Sequence, residues 1–246
     1  MSDYNRENGE IMNQIAELRS KRGTKTLVGY DFDSSLDELV AQGAIDCPII
    51  SSEDGFSPLG MWMSFFADEL GIRKYDIGEL ANLNRFDNDK ISLVGLPSRR
   101  ATGNLKGVVL AAGETSKCYE QFAPAYFGRP YRDFYYNVAY ESIHYAAHVL
   151  KAEKLAISHL SGSGHFHENI AICIAEALGH FCDQADSPPI RSFLFVGCCI
   201  NPDHLSGIER LNSEGAITRH RDIRTRATLK NGFDVISLDW REPPRR

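Results

Sequence analysis

Two stretches of the chain combine glycine with small polar side chains where a β-rich run gives way to a helical one: Ser51 to Gly60, and Ser161 to Phe166. In an open α/β sheet, ligands bind outside the carboxyl ends of the strands, where loops meet helix N-termini. Glycine lets the backbone approach a phosphate closely, and free N–H groups together with the helix dipole favour an anion. The run Ser161, Gly162, Ser163, Gly164 is a weak signal alone, because any tight connection uses glycine for its turn geometry. With two such loops in one chain, a phosphate-bearing ligand and plain turn geometry both stay open.

Other side chains carry chemistry of their own. Glu53 and Asp54 follow the first strand end, where a carboxylate can activate water as a general base. Acids just before a helix are equally favoured by capping and by the helix dipole, with no reaction involved. His144 and His148 stand at i, i+4 on an expected helix with Glu141 nearby, but no third ligand at a telling spacing accompanies them. A solvated or core pair is the better reading. His165 and His167 form a second weak pair, since zinc takes three or four ligands of defined geometry. We therefore expect no metal and no cofactor. Arg219, His220, Arg221, Arg224, Arg226 and Lys230 make a basic cluster that is either a solvated face or a patch steering an anionic nucleotide.

The elements that must position these residues follow from apolar spacing. Ile11, Ile15 and Leu18 among charges suggest an amphipathic helix over 5–22, ended by Gly23. Strands are expected at 26–30 and 45–50. Phe56, Leu59, Met63, Phe66 and Leu70 fall at steps of 3, 4, 3 and 4, which makes a helix closed by Gly71. Two strands at 91–94 and 107–112 flank the turn-prone Thr102, Gly103 and Asn104. A helix with Val138, Ile143, Ala146, Ala147 and Leu150 leads into a strand at 155–160. After the Ser/Gly loop comes a helix with Ile170, Cys173, Ile174, Ala177, Leu178 and Phe181, then strands at 190–196 and 233–238. Strands alternating with helices, several apolar on both faces, imply a mostly parallel sheet between helical layers.

Composition sets the class. The 246 residues carry a net charge of −6, with 43% hydrophobic and 24% charged residues, as in an ordinary globular chain. The acidic balance disfavours a general nucleic-acid binder. No apolar run approaches the ~20 residues of a membrane span. The polar N-terminus carries acids and reads as neither signal nor transit peptide. Six cysteines without a CxxC pair suggest reduced, mostly buried thiols and a cytoplasmic setting.

In order and in letters the chain resembles the macro domain family, known for binding ADP-ribose and related nucleotides. Val28, Gly29, Tyr30, Asp31 and Phe32 resemble the early strand whose Asp contacts adenine. Residues 44–52 resemble the strand ending in the family's asparagine motif, followed by a glycine loop and a helix at 55–71. Thr102, Gly103, Asn104 and Leu105, with 108–113, are similar to the Gly-x-Asn-Leu segment and its strand, and 137–150 resembles the next helix. Gly162, Ser163, Gly164, His165, Phe166 and His167 resemble the diphosphate-gripping loop. The resemblance spans roughly residues 25–200. Where catalytically competent members carry asparagines, this chain has Ser51 and Ser52, then Glu53 and Asp54; its first loop keeps only Gly55 and Gly60.

The resemblance implies a three-layer α/β/α sandwich around a central mixed, mostly parallel sheet. It would be a single domain over 1–246, with an N-terminal helix (1–24), a core (25–200) and a C-terminal extension (201–246). It further implies a ligand site of Asp31, Phe32, Ser51, Ser52, Gly55, Gly60, Gly162, Ser163, Gly164, His165 and Phe166, taking ADP-ribose or a related diphosphate-containing nucleotide. A hydrolase acting on ADP-ribosylated or phosphorylated substrates through Asp54 or Glu53 is the alternative, and an interaction protein with a degenerate pocket is a third.

Overall fold

The computed structural model describes residues 13–20, 23–31, 34–52, 66–72, 91–100, 103–112, 129–158, 168–196 and 224–238. Nine strands form one sheet: β1 (Asn13–Arg19), β2 (Lys25–Asp31), β3 (Cys47–Ser52), β4 (Ile91–Pro97), β5 (Gly107–Ala112), β6 (Lys154–Ile157), β7 (Ser192–Val196), β8 (Arg224–Thr228) and β9 (Asp234–Leu238). Their order is β1-β2-β7-β6-β3-β5-β4-β9-β8. The centre, β2-β7-β6-β3-β5, is parallel, and an antiparallel ribbon closes each end. Helices α1 (Leu36–Ala41), α2 (66–70), α3 (Arg129–His148) and α4 (Glu168–Cys182) complete the described elements.

Burial on both faces explains the parallel centre. Leu155, Ala156 and Ile157 of β6, and Phe193, Leu194, Phe195 and Val196 of β7, are all buried, although successive side chains point to opposite faces. Both faces therefore need a helical layer. The connections β5–α3–β6 and β6–α4–β7 step along the sheet in one direction, whereas β2–α1–β3 steps in the other. Right-handed crossovers then put α3 and α4 on one face and α1 on the opposite one. In keeping with this, α3 packs along α4 and against β4 and β5. The result is a mixed α/β fold with helices on both faces of the sheet.

Local chemistry sets the element ends. The Ser35 N–H donates to Glu38 Oε2 at 2.9 Å, closing the first turn of α1. α2 stops at Gly71, whose φ of +68° suits a residue without Cβ. At the other edge of the sheet, the Asp46 carboxylate accepts the N–H groups of Glu153 at 3.0 Å and Lys154 at 2.9 Å, fixing the start of β6 beside β3. Asp46→Ala leaves those two donors without their acceptor. It is expected to cost about 1–3 kcal/mol, read from the midpoint of a urea unfolding curve.

Two sequence expectations are corrected. The helix expected over 5–22 is a strand where the chain is described: Asn13–Arg19 pairs antiparallel with β2. The register shifts between Gln14 and Ala16, so Ile15 is an extra residue that breaks the two-residue alternation. Ile15 and Leu18 are three apart in the sequence, a spacing that a bulged strand and a helix share. Gly23 ends no helix there; at φ +78° it serves the tight connection between β1 and β2. In the C-terminal region the basic cluster carries an element that its spacing does not predict: Arg224–Thr228 is strand β8, hairpinned to β9. The strand expected at 155–160 is β6, described as Lys154–Ile157.

Candidate functional site

The parallel strands β2, β7, β6, β3 and β5 end at Asp31, Val196, Ile157, Ser52 and Ala112, all on one edge of the sheet. β3 and β6 are direct neighbours there: Ile49 pairs with Ile157, and the Ser158 N–H donates to the Ile49 carbonyl at 3.0 Å. The two Ser/Gly stretches thus follow adjacent parallel strands. Ser51 and Ser52 are the last residues of β3, opposite Ala111 and Ala112 of β5. Phe32, Glu53, Asp54, Gly55, Gly60, Gly162, Ser163, Gly164, His165 and Phe166 lie outside the described residues, as do His167, Cys198, Cys199 and 219–223.

Asp31 ends β2 beside Val196 of β7 and is only 2% exposed. Its Oδ1 accepts the Ser34 N–H at 2.8 Å, a hydrogen bond that ties the strand end to the entry of α1. At that burial it is not a surface turn residue. Asp31 does hold a turn, but from inside the fold. Buried carboxylates are retained where they are hydrogen-bonded, and this one ends its strand at the carboxyl edge of the parallel centre.

Of the basic cluster, Arg219, His220 and Arg221 lie outside the described residues, and Arg226 is engaged within the β8–β9 hairpin. Arg226 Nη2 lies 2.7 Å from Asp234 Oδ2, so its charge is matched inside its own hairpin. β8 stands four places from β3 in the sheet, roughly 19 Å at a strand spacing of ~4.8 Å. Lys230 is exposed in the β8–β9 turn.

Around Asp234 lies a polar cluster that the residue pattern does not announce. The Tyr145 hydroxyl donates to Asp234 Oδ2 at 2.7 Å, and Thr228 Oγ1 donates to Oδ1 at 2.6 Å. The Arg226 guanidinium carbon lies 5.7 Å from the centre of the Tyr145 ring. Burial by itself would raise the Asp234 pKa, but hydrogen bonds from Arg226, Thr228 and Tyr145 outweigh it and hold the carboxyl below its usual 3.8. Burial, and then the bond to Asp234, push the Tyr145 hydroxyl far above its usual value. Tyr145 stays protonated and Asp234 stays charged at neutral pH. Neither group is poised for proton transfer, so the cluster is a structural tie between α3 and the β8–β9 hairpin. The only advance signal is Asp234 itself, an acid opening an apolar run.

The His144 and His148 rings stack at 4.2 Å between centroids, both edge-on to Phe181 of α4. The Tyr136 hydroxyl lies 2.8 Å from His180 Nδ1. Among the described residues no three His, Cys, Asp or Glu side chains come together as a metal-binding group. Cys47, Cys173 and Cys182 are buried and form no disulfide. Burial pushes the Cys47 thiol up, away from the reactive thiolate.

No helix among the described residues is long and apolar enough to cross a membrane. No family model matches the chain, and neither does any curated protein. Among solved structures it is similar to a macrodomain mutant from Oceanobacillus iheyensis, with a TM-score of 0.45 and 7% identity over 79% of this chain and 96% of that one. A likeness this loose speaks for neither ligand nor chemistry.

Proposed function

We propose that the chain binds ADP-ribose or a related diphosphate-containing nucleotide across the carboxyl ends of β3, β6, β7 and β2. The observation that carries this reading is the adjacency of β3 and β6. Two Ser/Gly stretches that are 110 residues apart at their first serines, Ser51 and Ser161, follow strands lying side by side. Backbone N–H groups from two neighbouring loops suit two linked phosphates better than one. Asp31 ends a strand three places from β3, roughly 14 Å at ~4.8 Å per step. That is the reach of a nucleotide with its base at one end and its diphosphate at the other. The macro-domain resemblance of 28–32 and 162–167 assigns those same ends to base and diphosphate.

A thermal-shift series with ADP-ribose, ADP, AMP and inorganic phosphate tests the reading. A ligand at 100 times its Kd stabilises the native state by about 2.7 kcal/mol, a rise of roughly 5–10 °C for a chain of this size. ADP-ribose and ADP should raise Tm well above phosphate, and a flat response to the whole series would remove the proposal. Within it, Phe166→Ala should weaken ADP-ribose binding by about one to two decades, as loss of an aromatic stack does. A folded variant with parental affinity would unseat Phe166.

Asp31 can be dissected in the same assay. Asn keeps an oxygen for the Ser34 N–H, whereas Ala removes it. Asp31→Ala is expected to lose about 1–3 kcal/mol of stability along with its preference for adenine over guanine nucleotides. Asp31→Asn should recover most of the stability. Parental base preference in Asp31→Ala would confine this residue to the turn.

A further inference from the structure

We draw no further inference here: the strongest candidate, the stacked His144 and His148 pair on the seam between α3 and α4, is packed edge-on against Phe181, and no group of three metal-ligating side chains forms among the described residues, so nothing in the structure points to a ligand for it.

Discussion

Gly95→Ala is expected to destabilise the protein by at least ~3 kcal/mol, the upper end of typical overpacking, and so to lower Tm by roughly 6–12 °C. Gly95 is in the middle of β4, paired with Val109 of β5 on one side and Asp234 of β9 on the other. A Cβ there would come within 2.1 Å of two Tyr145 ring carbons and 2.4 Å of its hydroxyl oxygen. The obstacle is the body of an aromatic ring, not the tip of a flexible chain. The Tyr145 hydroxyl is also held by Asp234, so the ring cannot swing aside without breaking that bond. Glycine is required here for close approach of a helix to the sheet; its backbone is not in the left-handed region. A double-mutant cycle isolates the contact. In a Tyr145→Ala background the extra methyl meets no ring, and Gly95→Ala should cost ~1–3 kcal/mol less than in the parent. An equal cost in both backgrounds would show that the ring is not the reason for the glycine.

Asp234→Ala should cost about 1–3 kcal/mol, because it takes the acceptor from three donors and leaves the buried one unsatisfied. Arg226 is partly exposed and can turn to water, but the Tyr145 hydroxyl is buried and cannot. Asp234→Asn should cost less, and its main effect should be on pH dependence. The folded pKa of Asp234 lies below the ordinary value of 3.8. Its contribution is therefore fully present above the unfolded pKa and is lost as pH falls through the lower folded one. The parent should lose stability on acidification below about pH 4 more steeply than Asp234→Asn, measured by denaturant midpoints across the acid range. Parallel acid limbs would mean that the carboxylate is not the group that the hairpin holds charged.

How far the sequence reads ahead depends on what range of interaction decides each element. The strands β6 and β7 were legible because Leu155 to Ile157 and Phe193 to Val196 are continuous apolar runs, the mark of burial on both faces. The helices α3 and α4 and the end of α2 at Gly71 were legible from spacing and a helix stop. β1 was not. Ile11, Ile15 and Leu18 stand at helical spacing in the sequence, and the local pattern cannot reveal that β2 stands ready to pair with this segment. β8 was hidden for a related reason. Arg224, Thr225, Arg226, Ala227 and Thr228 form an edge strand facing one neighbour, and charge on an edge reads locally as a solvated run.

The candidate site divides along the same line. Residue types marked the two Ser/Gly stretches, although glycine after an apolar strand also serves plain turns, and Asp31 was marked only by the family resemblance. Local sequence also determined the alternation of strand and helix, and with it the α/β class. Which strands stand next to which was decided only in three dimensions. The order that puts β3 beside β6, and Asp31 three places from β3, depends on crossover direction, a long-range choice to which no nearby residue testifies. Tertiary structure alone likewise brought Gly95, Tyr145, Arg226 and Asp234 into one contact set. These residues come from two strands of one hairpin, a helix and a third strand. Their mutual fit is a matter of packing and hydrogen bonding between elements, and the sequence within any one element carries no trace of it.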